Sequence, residues 1–196
     1  MDLTELLNSS VGQSIVRGVA SQLGMNEKEA SNAVSTAMPA ILAGMTKNAR
    51  SKEGAESLNK ALDTKHDGSL LDNLSGMLQG HTRELQQDGE GILGHVFGNS
   101  RPAVEQGVAR QAGISSAKAG SLLTTLAPIV MAYLGKEKQQ ANAGSNGLEN
   151  LLGSLLGARQ GGAGSGIMGM LGDVLDKDGD GNPLNDILGG FLGGKR

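Results

Sequence analysis

The chain of 196 residues has no cysteine and no tryptophan, and its aromatic residues are limited to two phenylalanines and one tyrosine. The lack of cysteine excludes disulfides, zinc–thiolate sites and thiol catalysis, and it leaves the cellular compartment open. The scarcity of aromatic side chains argues against a β-sandwich or a β-barrel, whose strands are rich in β-branched and aromatic residues. We therefore expect an all-α protein.

The chain also lacks an excess of charge of either sign, because 17 Lys and Arg stand against 20 Asp and Glu. A net charge of −3 is not the basic footprint that phosphate backbones require, so nucleic acid is not the expected partner. The first five residues include Asp2 and Glu5 where a secretory signal would carry Lys or Arg. The longest uncharged stretches, 30–46 and 119–135, are shorter than the roughly 20 apolar residues of a membrane span. We expect a cytoplasmic protein without a membrane span.

Glycine is abundant and unevenly spread. Of the 32 glycines, 16 lie in residues 139–196, where the sequence is otherwise rich in leucine. This shift in composition predicts a helical domain over 1–138, a polar linker over 139–147 and a glycine- and leucine-rich amphipathic tail over 148–196.

The first part contains an internal duplication at an offset of 89 residues, covering 3–45 and 92–134. The matching positions are Val19, Ala20, Gln22, Gly24, Ala30, Thr36 and Pro39, repeated as Val108, Ala109, Gln111, Gly113, Ala119, Thr125 and Pro128. Each copy predicts a short helix that ends at a glycine and a longer helix that contains a proline. Asn26 and Ser115 are the expected N-caps of the two long helices.

Apolar periodicity predicts which faces of the long helices form the core. These faces are Ala30, Val34, Ala37, Met38, Ile41 and Met45 in the first copy, and Leu122, Leu123, Leu126, Ile129, Val130 and Tyr133 in the second. Between the copies, residues 51–62 and 69–78 predict two further helices, and residues 80–91 predict a polar loop. The result is a multi-helix bundle of about seven elements.

The tail carries three short amphipathic segments, which hold too much glycine to be stable helices alone. They need an apolar surface, either the chain's own core or a neighbouring copy. We predict a homo-oligomer interface formed by Leu151, Leu152, Leu155, Leu156, Ile187, Leu188 and Phe191.

An acidic turn in the tail resembles the start of a calcium loop. Asp176, Asp178 and Asp180 supply oxygen ligands at positions 1, 3 and 5, Gly181 follows at position 6, and the Asn182 carbonyl is a further candidate ligand. Position 12 is Ile187 instead of the bidentate glutamate. The alternative is an acidic turn whose carboxylates favour the N-terminus of the last helix.

No motif predicts an enzyme or a small-molecule substrate. Two Gly-x-Gly-x-x-Gly matches, at 89–94 and 164–169, do not follow a strand and are expected by chance at this glycine content. His66, His81 and His95 have no second ligand at i+4, so they are expected to be ordinary core or surface histidines. We expect no organic cofactor.

Several segments together resemble a known family. These are Ile-Leu-Gly-His-Val-Phe-Gly at 92–98, Pro-Ala-Val at 102–104, Gly-Ile-Ser at 113–115, Leu-Ala-Pro-Ile-Val at 126–130, and the acidic, leucine-containing stretch 178–189. The chain is thereby similar to the bacterial YidB-like family, domain of unknown function 937. The resemblance implies an all-helical fold, self-association and no assigned enzyme activity.

The leading hypothesis is a non-enzymatic structural or scaffold protein that self-assembles through its tail. The alternative is a nucleic-acid-binding module, because each helix–glycine–helix unit resembles a helix-turn-helix in outline. Against the alternative, the second copy offers only Lys118 between Ser115 and Tyr133 for contacts with nucleic acid.

Overall fold

The computed structural model describes residues 3–80, 82–140 and 151–152, and every regular element in these ranges is helical. They contain nine α-helices and one 3₁₀ turn, Gly98–Ser100. The α-helices are α1 Leu3–Asn8, α2 Ser10–Leu23, α3 Glu27–Ala49, α4 Lys52–Thr64, α5 Ser69–Asp72, α6 Leu74–Gly80, α7 Thr82–Phe97, α8 Arg101–Ala112 and α9 Ser116–Gln140. The all-α multi-helix bundle is confirmed.

Local signals set the turn between α2 and α3. Gly24 ends α2 in the left-handed conformation, with φ 59° and ψ 50°, which a residue without a side chain adopts at little cost. The Asn26 side chain accepts a hydrogen bond from the Glu29 amide at 2.9 Å, and the Glu29 carboxylate accepts one from the Asn26 amide at 3.1 Å. The Asn26 N-cap and the glycine stop expected from the sequence are both confirmed, and the two hydrogen bonds form a capping box.

The same local elements recur between α8 and α9. Gly113 ends α8 with φ 70°, and the Ser115 hydroxyl accepts a hydrogen bond from the Lys118 amide at 3.2 Å. Pro39 and Pro128 lie inside α3 and α9, and both are buried. Two helix pairs with equivalent turns therefore stand 89 residues apart, and the duplication itself stays a prediction.

The core lies between α3 and α9, which pack against each other, while each of the shorter helices α2 and α8 contacts both. All residues predicted for the two core faces are confirmed as buried, with at most 6% of their surface exposed. The turns at Gly24 and Gly113 bring each short helix back onto the long helix that follows it. The apolar stripes of the helices are thereby enclosed.

Helix α9 is buried on all sides over 122–135, and not only on its predicted face. Within the described residues, α9 is the one helix that is long and apolar enough to cross a membrane, with a mean hydropathy of 1.3 over its best window. Residues that make up 78% of this window are buried inside the fold. A core helix of a folded bundle passes the same length and composition test.

Two expectations about the middle of the chain were wrong. Residues 80–91 were predicted as a loop, but most of them belong to α7, where Leu85, Gly89 and Leu93 are buried on one face at a spacing of four residues. Glycines and polar residues obscured this narrow stripe, and packing against α9 stabilises the helix. Residues 69–78 were predicted as one helix, but Asn73, with φ −122° and ψ 30°, separates α5 from α6.

The chain divides into two compact units, Met1–Leu156 and Gly157–Arg196. Helix α9 continues to Gln140 and so includes the first two residues of the predicted linker. The rest of that linker, 141–147, lies outside the described residues. In the first unit, Leu152 is fully buried and belongs to the hydrophobic core.

Candidate functional site

The polar side chains buried in the described part of the bundle all lie on α9 or against it. They are His66, Thr124, Thr125 and Lys138. Thr124 and Thr125 lie near the middle of α9, whereas His66 and Lys138 lie near its C-terminal end. Burying a polar group is costly unless it finds a partner, so each of these four side chains identifies a specific contact.

An ion pair joins α4 to the end of α9. The Lys138 Nζ atom donates a hydrogen bond to Asp63 Oδ1 at 2.5 Å. The Lys138 side chain is 9% exposed, whereas the Asp63 side chain is 55% exposed. The carboxylate therefore faces water and compensates an ammonium group that has lost most of its hydration.

His66 is the second buried titratable group at this end. Its Nε2 atom lies 3.6 Å from Asp88 Oδ2 of α7, and its side chain is 5% exposed. Burial lowers the pKa of His66 below its ordinary value of 6.5, and the neighbouring Lys65 acts in the same direction. The carboxylates of Asp88 and Asp67 oppose this shift without cancelling it. The imidazole is therefore held in its neutral form at neutral pH.

We call the four residues Asp63, His66, Asp88 and Lys138 the α9-end cluster. Its placement follows from the backbone after α4, where the amides of Lys65 and His66 both donate to the Ala61 carbonyl and turn the chain. The His66 carbonyl oxygen then lies directly against Gly135, so closely that a side-chain carbon at residue 135 would overlap with it. The missing side chain at residue 135 thus allows the turn to approach α9.

A second set of polar contacts ties α8 and α2 to the middle of α9. Arg101 of α8 donates to Glu105 at 2.8 Å and to the Thr124 hydroxyl at 3.2 Å. The Thr125 hydroxyl, which is fully buried, donates to Gln22 Oε1 of α2 at 3.2 Å. The Thr125 contact fixes the register of α2 against α9, because a shifted α2 would leave this buried hydroxyl unpaired. The Thr124 hydroxyl also donates to the Gly120 carbonyl of its own helix at 2.9 Å.

A shallow cleft of about 240 Å³ opens between α2 and the junction of α5 with α6. Its lining combines hydroxyl, amide and apolar side chains, namely Ser10, Val11, Ser14, Leu71, Asp72, Asn73, Leu74 and Ser75. None of the residues singled out from the sequence lines this cleft.

The structure places only two of the residues that the sequence predicted for a functional site. Leu151 is half-buried and Leu152 is fully buried in the core of its own chain. The other predicted interface residues, Leu155, Leu156, Ile187, Leu188 and Phe191, lie outside the described residues. The same holds for the predicted calcium ligands Asp176, Asp178, Asp180 and Asn182.

In the part of the chain that the structure describes, no group of three or more His, Asp and Glu side chains is arranged to hold a metal ion. The calcium site therefore stays a prediction about the tail.

Sequence reasoning missed the α9-end cluster. His66 was treated as an isolated histidine, and Lys138 was placed at the edge of a linker. His66 and Lys138 have partners that are distant in sequence, and Asp63 and Lys138 are 75 positions apart. The sequence holds one local signal for this cluster, the spacing of Gly135 and Lys138. Because they lie three residues apart, a glycine that allows close approach and a lysine share a face of α9.

Comparison with known proteins gives one match. A family described as bacterial protein of unknown function (DUF937) matches residues 5–137. Searches of the curated proteins and of the solved structures found no match. The matched segment begins in α1 and ends in the last turn of α9, so it includes the whole described bundle up to that turn. Because this segment is more than half of the sequence, the chain belongs to the DUF937 family of bacterial proteins of unknown function.

Proposed function

We propose that this protein is a non-enzymatic, self-associating helical scaffold whose copies join through the glycine- and leucine-rich unit 157–196. The observation that carries the proposal is the division of the chain after Leu156. It separates the apolar positions of the tail sequence, including Ile187, Leu188 and Phe191, from the unit that contains the helical bundle.

A unit of about 40 residues rarely buries enough apolar surface to be stable alone, and it usually needs disulfides, a metal or association with another chain. The absence of cysteine removes the first of these options. Association is the option that the apolar stripes of the tail favour, because they offer a surface that a second copy can cover.

Because Leu152 is fully buried, the proposed interface does not include it. A residue in the core of its own chain cannot contact a second copy unless the bundle opens. We therefore base the proposal on Ile187, Leu188 and Phe191, and treat Leu152 as an anchor within the first unit.

Light scattering over a series of protein concentrations tests the proposal. We expect the full chain to show a multiple of its monomer mass, and the double variant Ile187→Ser with Leu188→Ser to be monomeric. A matched control, Asn185→Ser, changes a polar residue in the same segment and should keep the oligomer. A monomeric full chain at high concentration would refute self-association, and an oligomeric chain ending at Leu156 would place the interface on the bundle.

The nucleic-acid-binding alternative is favoured by one observation, the three-residue turns with a left-handed glycine that join α2 to α3 and α8 to α9. Such turns are typical of helix-turn-helix units. Burial of 122–135 on all sides leaves little of α9 free to enter a groove. A salt-sensitive mobility shift of duplex DNA would support this alternative, and no shift at low salt would remove it.

A further inference from the structure

The last turn of α4 and the turn that follows it contact the C-terminal end of α9 at three points. The His66 carbonyl lies against Gly135, the backbone of Gly68 lies against the Lys136 side chain, and Asp63 binds Lys138. Gly68 has φ 102°, a conformation that residues with side chains rarely adopt, so this turn is shaped to fit its position. The three contacts lie within one helical turn of α9, from residue 135 to residue 138.

We propose that His66 is an acid-sensitive latch, and that protonation of its imidazole releases the turn 65–68 from the C-terminal end of α9. The His66 side chain is enclosed where the turn meets α7. The backbone carbonyl of the same residue packs on Gly135 of α9. In the open state the turn moves as a unit, so that the imidazole becomes hydrated and this carbonyl leaves α9.

The charges around His66 decide the direction of the switch. The charges that act on the imidazole come from the turn and from α7, and they are Lys65, Asp67 and Asp88. On the adjoining end of α9, Lys136 lies against Gly68 and Lys138 is engaged by Asp63. Asp88 is the one carboxylate that α7 directs at the imidazole, and at 3.6 Å with 38% exposure it compensates an imidazolium only in part. A buried imidazolium thus gains more from water than from its protein neighbours.

Thermodynamic linkage relates the preference of the imidazolium for water to the population of the open turn. If the open turn lets the imidazole take up a proton at its ordinary pKa, each unit by which the closed state lowers that pKa makes the open state up to tenfold more populated in acid. Opening of this kind is a local event, since the α3–α9 core does not contain the turn.

Hydrogen exchange of the full chain, followed by mass spectrometry at pH 7.5 and pH 5.5 and corrected for intrinsic exchange rates, tests the latch. We expect peptides covering 58–68 and 133–140 to lose protection at pH 5.5, and peptides covering 30–45 of α3 to keep it. The variant His66→Gln should show no such pH dependence. The matched control His95→Gln removes an exposed histidine of α7 and should behave as the unmodified chain.

Equal protection at both pH values, or the same loss of protection in His66→Gln, would overturn the proposal. If His66→Gln does not fold, an NMR titration of the unmodified chain decides. The latch predicts that the imidazole titrates with a midpoint below pH 6.5 and that the Gly135 amide shift changes with the same midpoint. An imidazole midpoint at or above pH 6.5, or a Gly135 amide shift that does not change with pH, would overturn the proposal. Asp88→Asn should move the midpoint to lower pH, because it removes a carboxylate that favours the imidazolium.

Discussion

Gly89 of α7 lies directly against the carbonyl oxygen of Thr124 in α9, and a side-chain carbon at residue 89 would overlap with that oxygen. Thr124 stands four residues before Pro128, which has no amide hydrogen, so this carbonyl lacks its usual helical donor. The carbonyl that Pro128 leaves without a donor thus lies where Gly89 of α7 crosses α9. This close approach explains a glycine that the sequence alone placed in a loop.

Replacing Gly89 with alanine should lower the free energy of unfolding by about 1–3 kcal/mol, because the methyl group forces α7 away from α9. The greater helix propensity of alanine, about 1 kcal/mol, offsets only part of this loss. Urea unfolding followed by circular dichroism measures the difference.

Gly91→Ala is the matched control for this substitution. Gly91 lies two residues further along α7, with no atom within 4 Å of an added side-chain carbon. It should leave stability unchanged or raise it by up to about 1 kcal/mol. Equal effects of the two substitutions would show that the crossing of α7 and α9 is not tight at Gly89.

The pair formed by Asp63 and Lys138 should respond unequally to substitution of its two members. Asp63→Asn leaves a buried ammonium without its carboxylate and should cost about 1–2 kcal/mol, a moderate value because Asp63 is largely exposed. Lys138→Met removes the buried charge and keeps the apolar stem, so we expect little change or a gain in stability. Lys60→Met, at an exposed position of α4, controls for the loss of one positive charge. A large loss in Lys138→Met would contradict this account.

Stability should fall as pH decreases from 7.5 to 5.0. Because the folded state lowers the pKa of His66, the stabilising neutral form is fully present above about pH 6.5, and its contribution is lost as pH falls through the range below that value. Asp67 affects stability in a different pH range. Hydrogen bonds from the Ser69 side chain and amide lower the pKa of its carboxyl group, so its contribution is lost only in more acidic solution, below its ordinary value of 3.8.

Urea midpoints at half-unit pH steps measure this dependence. They should become nearly independent of pH between 7.5 and 5.0 in His66→Gln, and keep their slope in His95→Gln. A slope that survives in His66→Gln would assign the effect to other groups.

For the acidic turn of the tail, we expect the helix-cap alternative to hold, because position 12 of the loop lacks the bidentate glutamate of a calcium site. Calorimetry with millimolar calcium should show no binding heat and no change in Tm. Binding heat that disappears in the double variant Asp178→Ala with Asp180→Ala would establish a calcium site instead. An ion that binds only the folded form would add about 2.7 kcal/mol of stability at a hundredfold excess over its Kd.

Elements whose signals are local can be predicted from the sequence. The glycine stop at Gly24, the capping box of Asn26 with Glu29, and the core faces of α3 and α9 depend on residues within one or two helical turns. Hydrogen bonds of caps and the 3.6-residue period act at that range, so they can be recognised in a sequence without knowledge of distant contacts.

Helix α7, the burial of α9 on all sides and the α9-end cluster depend on contacts between distant parts of the chain, so local sequence signals do not predict them. Residues 82–97 have weak helical signals, and their contact with α9 outweighs the cost of Gly89 and Gly91. The burial of His66 beside Asp88 and the pairing of Lys138 with Asp63 both involve residues that only the folded chain brings near. Desolvation and pairing depend on distances in space, and these are set by how the helices pack against one another.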